Sequence, residues 1–507
     1  MVRLPIGIQD FTKLREDGYI YVDKTMFMQP FLAGGAYFLS RPRRFGKSLL
    51  LSTLKAVFEG KKDLFKDLWL EQQHDFKIHP IIRLDFSQLD FQAQTLEQAI
   101  VRHFQNIAKD YKITLISHTA KSIFEEFIQA LSHLGKVVVL IDEYDKPITD
   151  YLLEAEKRTE HQNVLKSLYG VLKPMDQYLH LVFLTGVSKI GKLSLFSDLN
   201  NLQDISLNAD YATLCGYNRE EMELAFPDYL QNAANKQKIT LEELWEQLKF
   251  WYNGYSWDAI NSVYCPFSFL LFLAQPQFKS FWYETGTPTF LLHMIRNAQL
   301  NPLEFDSLEV SEKVIVATDI DRLDPISLMF QTGYLTVKSI ANNPKGTLFE
   351  LHYPNEEVRQ AFSSNLLLEY STMLPHQADQ LGLELQRALI RLDWIAFFAA
   401  VNRTFAGIPY EIFPRQEAYG HSLLHLMLVS TGFSTQSQVQ TSLGRMDILV
   451  QTFTHSIIFE IKIGGTPQEA LQQINEKHYA DMLQKPVVKI GVVFDLERKQ
   501  ISDWKVT

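Results

Sequence analysis

The chain has 507 residues, 46% hydrophobic, 12% aromatic and 21% charged, with a formal net charge of −10. That supplies core for about two to four domains, and 35 Phe, 21 Tyr and 7 Trp exclude disorder as the main state. Only Cys215 and Cys265 are present, which excludes a disulfide scaffold and a four-cysteine zinc site and fits a reducing compartment.

Residues 1–7 show no basic-then-apolar leader, and no apolar run reaches the roughly 18–20 residues that span a bilayer. A soluble, cytoplasmic chain with no membrane role is expected. The acidic balance argues against a general nucleic-acid coat. Residues 41–62 nevertheless carry seven Lys/Arg against one acid, Glu59, so a local anion site is compatible with it.

Along residues 36–210, short apolar runs alternate with helical stretches, the pattern of a parallel α/β sheet. Strands are expected at 36–40, 81–85, 137–141 and 181–185, and helices at 49–58, 96–110 and 120–134. The strands lack polar alternation, as burial on both faces requires. From 212 to about 342 the pattern turns helical and aromatic, with an amphipathic helix at 241–252 and a buried one at 267–274. Trp245, Trp251, Tyr252, Tyr255 and Trp257 could stack bases, but their density there reads as core. A polar turn at 341–346 separates strands at 334–339 and 347–352, and a helix covers 356–373. The last third opens with helices at 383–405 and 416–430. A hairpin of 445–451 and 456–462, a helix at 467–483 and a strand at 487–494 follow.

The first chemical signal follows the strand 36–40. There Arg41-Pro42-Arg43-Arg44-Phe45-Gly46-Lys47-Ser48 leads into an apolar helix. A phosphate chain needs inward N–H groups at a helix N-terminus, a lysine on its β/γ oxygens and a hydroxyl on Mg²⁺. Gly46, Lys47 and Ser48 supply that ending, although Arg41 stands where the first glycine usually is. Arg41, Arg43 and Arg44 add charge for phosphate or an acidic partner. The strand Val137–Val138–Val139–Leu140–Ile141 ends in Asp142-Glu143, which would hold the Mg²⁺ shell and polarise the attacking water. A third strand end offers Thr185 or Ser188 as a γ-phosphate sensor.

With Tyr21-Val22-Asp23-Lys24-Thr25, Asp142-Glu143-Tyr144-Asp145-Lys146-Pro147 and Asn200-Asn201-Leu202-Gln203-Asp204, this loop resembles the predicted AAA-ATPase family of prokaryotes. Trp251-Tyr252-Asn253-Gly254-Tyr255 and Tyr353-Pro354-Asn355-Glu356-Glu357-Val358 match as well, and in that family the glycine-poor loop is the ordinary form. The resemblance implies ATP bound by Arg43, Arg44, Phe45, Gly46, Lys47, Ser48, Leu49, Asp142 and Thr185, with Mg²⁺ on Ser48 and Asp142. Glu143 would be catalytic.

The second signal is the C-terminal hairpin. A turn centred between Phe453 and Thr454 makes Asp447 and Glu460 cross-strand neighbours, and alternation puts Lys462 on the Glu460 face, a surface whose reverse is apolar. Facing carboxylates repel unless a cation lies between them, which points to a Mg²⁺ or Mn²⁺ site. On the preceding helix Glu417, His421 and His425 share one face; Glu417 could reach that metal, and the three could instead form a structural metal site. Gln473 lies on the following helix, with Tyr479 six residues on. This region resembles the PD-(D/E)XK nuclease superfamily, with Asp447, Glu460 and Lys462 matching its core and Glu417 and Gln473 its helix residues.

The expected architecture is therefore α/β. A P-loop AAA-ATPase-like domain at 1–211 has a parallel sheet with helices on both faces, 212–375 is a helical lid, and 376–507 is a restriction-endonuclease-like domain. The expected function is ATP hydrolysis coupled to metal-dependent cleavage of DNA, with RNA as the other substrate and a homo-oligomer possible. The alternative is a nucleotide-dependent switch or scaffold whose nuclease-like domain binds nucleic acid or a partner without cutting.

Overall fold

The computed structural model describes residues 2–196, 199–282, 289–316, 319, 322–344, 346–408, 417–440, 444–481 and 483–507. Two compact units form, each from two stretches of chain: Met1–Trp282 with Val310–Phe349, and Tyr283–Glu309 with Glu350–Thr507. Residues of the span 212–375 contribute to both.

The first unit is built on five parallel strands, β1 (Gly35–Ser40), β2 (Ile81–Asp85), β3 (Val137–Asp142), β4 (Leu179–Gly186) and β5 (Leu202–Asp204). Their order is β2-β3-β4-β1-β5. β3 is buried along its whole length and β1 and β4 nearly so, which accounts for their unbroken apolar sequences. Because β4 lies between β1 and β3, its C-terminal end comes between the loops that follow those two strands. β5 is three residues long and polar at two of them, so hydrophobic patterning passes over it. The charged stretch 154–160 leads into the helix Ala155–Tyr169, which buries His161, Leu165, Leu168 and Tyr169.

Helices Arg219–Ala225, Pro227–Gln237, Leu241–Tyr252 and Pro266–Ala274 gather a core of their own around Phe226, Trp245, Leu248, Tyr252 and Phe269. Trp245, Tyr252, Tyr255 and Trp257 are buried, so the aromatic run is core. The segment Tyr21–Thr25 is a structural stitch. The Asp23 carboxylate accepts the N–H groups of Thr25 and Trp69, while Lys24 Nζ donates to Glu221 at 2.6 Å and to the Thr213 carbonyl at 2.8 Å. A further sheet of three strands, β6 (Leu308–Ser311), β7 (Thr336–Asn343) and β8 (Gly346–His352), has the order β6-β8-β7. β7 runs on through Asn343, shortening the polar turn expected at 341–346.

The second unit carries a mixed sheet of β9 (Ser434–Gln440), β10 (Arg445–Gln451), β11 (Ser456–Ile463), β12 (Val487–Asp495) and β13 (Gln500–Val506), in the order β13-β12-β11-β10-β9. β11 and β12 are parallel, joined through the helix Pro467–Glu476, and the other pairs are antiparallel. β9 and β13 are the edges. Edge strands tolerate polar sequence, and neither shows an apolar signature. The helix expected at 383–405 is two helices, Pro375–Arg391 and Trp394–Gly407, because Leu392 turns left-handed (φ 55°) and the Asp393 side chain caps the N–H of Ala396. Among the described residues no helix is long and apolar enough to cross a membrane.

His425 is buried in the helix Glu417–Val429, and burial lowers its pKa to about 4, with Asp306 opposing and Arg359 adding to the shift. The unfolded chain therefore binds a proton that the folded chain refuses between pH 6.5 and 4. Acidification through that window removes up to about 3 kcal/mol of stability. Unfolding curves of wild type and His425→Gln at pH 7 and pH 4.5 check this: the stability gap between them narrows at the lower pH.

Candidate functional site

In the first unit, the loop after β1 starts at Arg41, which is 0% exposed. Its guanidinium donates to the carbonyls of Ser40, Ser206 and Tyr211 at 2.9, 2.6 and 3.1 Å and lies 3.9 Å from the centre of the Trp257 ring. Burial lowers its pKa to about 10. A side chain so enclosed does not reach phosphate or an acidic partner. Arg41 is an internal tie, which corrects its reading as a phosphate-binding charge. Its backbone φ is not positive, so this position tolerates a side chain; the left-handed positions are Arg44 (φ 71°) and Gly46 (φ 92°).

Arg43 and Arg44 are exposed, the latter with its guanidinium 3.9 Å above the Phe267 ring. Phe45 is buried, edge-on to Tyr255 and Trp257 with centroids 4.7 and 5.8 Å away. Lys47 opens the helix Lys47–Phe58, and its Nζ donates to the carbonyls of Arg41 and Pro42 at 2.8 and 2.9 Å. Desolvation lowers its pKa, opposed by Asp142. Ser48 and Leu49 are half-buried in the first turn.

Asp142 ends β3 and is 1% exposed. Its Oδ1 accepts from the Thr185 hydroxyl at 2.6 Å and from the Glu143 N–H at 3.1 Å, while Oδ2 is buried without a hydrogen-bond partner among the described residues. Thr185 therefore orients the carboxylate. Glu143 follows in a left-handed conformation (φ 51°), and burial, with Asp142 adding, raises its pKa.

Two residues beyond those singled out by sequence complete this end of the sheet. The Asp145 carboxylate accepts the N–H of Val187 and both the N–H and the hydroxyl of Ser188, and the Tyr144 hydroxyl donates to the Ser188 carbonyl at 3.0 Å. Ser188 is thus buried and committed to Asp145. A Cβ at Gly186 would lie 2.5 Å from the Tyr144 ring and 2.8 Å from Asp145 Oδ1. The signal for both residues was present in Asp142-Glu143-Tyr144-Asp145, but their partners are over 40 positions away.

In the second unit, Ile448 faces Phe459 and Gln451 faces Ser456, the register dictated by a turn centred between Phe453 and Thr454. Beyond Ile448 the strands are joined by the Asp447 carboxylate, whose Oδ2 accepts the N–H of Ile461 at 2.8 Å. Glu460 is 1% exposed rather than on an open surface, because β11 is the central strand of five. Its Oε1 lies 3.7 Å from Lys462 Nζ, and its Oε2 is buried without a hydrogen-bond partner among the described residues. Desolvation, with Asp447 adding, raises its pKa well above the carboxylate range. Lys462 donates to Gln473 Oε1 from the helix Pro467–Glu476. Tyr479 is buried and donates to the Arg445 carbonyl at 2.7 Å.

Glu417 begins the helix Glu417–Val429, but its side chain lies outside the described residues. His421 and His425 are buried on that helix. Among the described residues no three His, Cys, Asp or Glu side chains group closely enough to hold a metal by themselves. Each orphaned carboxylate oxygen, Asp142 Oδ2 and Glu460 Oε2, is nonetheless an acceptor a cation would satisfy, so both donor sets fit a divalent metal ion shared with substrate oxygens.

A strand–loop–helix ending in Gly-Lys-Ser, an acid pair two strands away and a buried carboxylate hairpin coincide with two family models. The model described as AAA-ATPase_like, Predicted AAA-ATPase, matches residues 5–196. The chain belongs to the predicted AAA-ATPase family. The model of the PD-(D/E)XK nuclease superfamily matches residues 415–504. A protein of Azotobacter chroococcum mcd 1, described as an uncharacterized protein in the vnfD 5′ region, is 35% identical over 523 residues, covering 99% of this chain and 98% of the relative. No solved structure matches. The AAA-ATPase-like domain thus contains the loop and the Asp142–Glu143 pair, and the nuclease-superfamily domain contains the hairpin.

Arg41→Met removes the donors that hold three carbonyls and leaves those acceptors buried. A loss of about 2–4 kcal/mol in urea unfolding is expected, which a solvated phosphate-contacting arginine would not show. Gly186→Ala forces a methyl group into the Tyr144 ring, and the same measurement should register a loss of about 1–3 kcal/mol.

Proposed function

We propose that this protein binds and hydrolyses ATP at the loop after β1 and cuts DNA at the β10–β11 hairpin, with nucleotide state governing cleavage. The observation that carries this reading is shared by the two sites: a buried carboxylate, the last residue of β3 in one and within β11 in the other, beside a second acid and with one oxygen left without a hydrogen-bond partner among the described residues. Such an oxygen costs roughly 1–3 kcal/mol or more if nothing fills the gap, so the fold retains it where a cation binds.

At the first site Lys47 would exchange the carbonyls of Arg41 and Pro42 for the β/γ oxygens, while Arg43 and Arg44 meet phosphate charge from the solvent side. Ser48 and Asp142 would hold Mg²⁺, and Asp447 with Glu460 would hold Mg²⁺ or Mn²⁺; bound there, the metal supplies charge stabilisation and an activated water. Thr185 fixes the Asp142 rotamer. Glu143, its pKa raised, accepts the proton of the water attacking the γ-phosphate. At the hairpin Lys462, steadied by Gln473, orients water against the phosphodiester.

Cleavage of linear and supercoiled DNA by wild type, Asp447→Ala and Lys47→Ala, with Mg²⁺ or Mn²⁺ and with or without ATP, tests the proposal. Expected outcomes are cleavage by wild type, a loss of at least about 100-fold in Asp447→Ala, and loss of the ATP effect in Lys47→Ala. Coupling is reciprocal, so DNA should alter ATP affinity by the factor by which ATP alters DNA affinity. Intact DNA under every condition, with ATP still changing its affinity, would replace cleavage by a nucleotide-dependent binding switch.

A further inference from the structure

Three successive carbonyls of the phosphate loop are held from outside by residues between 216 and 282. The Arg43 carbonyl accepts the indole N–H of Trp282 at 3.2 Å, and the Phe45 carbonyl accepts the backbone N–H of Gly216 at 3.3 Å. Between them, the Cys265 thiol makes a weaker donor contact of 3.9 Å to the Arg44 carbonyl. The peptide bonds are trans, so each N–H points away from the carbonyl that precedes it. Holding carbonyls 43, 44 and 45 outward therefore turns the N–H groups of Arg44, Phe45 and Gly46 away from the bracing segment. None of those three donates to a protein acceptor among the described residues. They are the donors a phosphate chain at this helix N-terminus requires.

The bracing indole is itself firmly seated. Trp282 is buried, packs edge-on to Tyr334 with centroids 5.3 Å apart and lies 6.5 Å from Tyr255, which in turn packs on Phe45. A Cβ at Gly333 would come within 2.8 Å of Pro42 and 3.5 Å of the Trp282 ring, so this side of the loop is closed by tight packing.

We propose that Trp282 is a positioning residue for polyphosphate: its indole N–H fixes the Arg43–Arg44 peptide so that the loop's N–H groups face the bound phosphates. The inference rests on reading this loop as the ATP site. Its side-chain donor can be deleted separately from the ring. Trp282→Phe keeps an aromatic ring, and replacing Trp282 with 3-benzothienylalanine, an isostere lacking the N–H, covers the case in which the smaller ring unseats its neighbours.

Calorimetric titration with MgATP and with inorganic pyrophosphate tests it, beside Lys47→Ala as the non-binding control. Loss of one oriented donor should weaken both ligands roughly tenfold in the isosteric variant, with its Tm within about 2 °C of wild type. Equal affinity of the isosteric variant and wild type would overturn the role of Trp282 and leave the ATP site standing. Failure of wild type to bind either ligand would overturn the ATP reading itself.

Discussion

A buried guanidinium has to be met by acceptors, and at Arg41 that requirement organises the first unit. Its Nη donors reach the carbonyls of Ser40, Ser206 and Tyr211, and its face lies against Trp257. The end of β1, the segment after β5 and the helical region are thereby held to one point, immediately before the loop that carries Lys47. A glycine there would give a freer loop. The arginine gives a loop whose start is set by hydrogen bonds and burial, and whose left-handed turns fall later, at Arg44 and Gly46.

The two candidate sites use the same physics on unrelated sheets. In each, a carboxylate is desolvated beside another acid, which raises the pKa of Glu143 in one and Glu460 in the other. Neighbouring donors occupy part of the acid group: Thr185 on Asp142, the Ile461 N–H on Asp447. What remains is one unpartnered oxygen on Asp142 and one on Glu460. Buried acceptors of this kind are uncommon in folded proteins, and at both places the unpartnered oxygen lies beside a second acid.

Rigidity around the first site comes largely from residues that would never touch ATP. Asp145 and Tyr144 tie the end of β3 to the segment after β4, and Ser40 Oγ donates to the Val187 carbonyl on the β1 side. The helical region contributes aromatic rings against Phe45 and outward partners for the loop carbonyls. Positioning shells of this type keep reacting groups in register at little entropic cost when ligand arrives.

Local pattern was sufficient for much of this. Unbroken apolar runs located β1 to β4, Gly46-Lys47-Ser48 marked the loop after β1, and turn position alone gave the β10–β11 register seen from Ile448–Phe459 to Gln451–Ser456. Polar β5, β9 and β13 escaped notice because a short or edge strand needs no apolar alternation. The helix break at Leu392 carries neither Gly nor Pro to announce it. Residue chemistry and spacing also named Asp142, Glu143, Glu460 and Lys462 as candidates. Whether a charge is solvated or enclosed was decided only by tertiary structure: Arg41 became an internal tie, Glu460 was drawn into the sheet, and Ser188 was taken by Asp145. The reason is range. Periodicity and turn geometry act over a few residues, whereas burial and hydrogen-bond partners depend on segments such as Arg43 and Trp282, 239 positions apart.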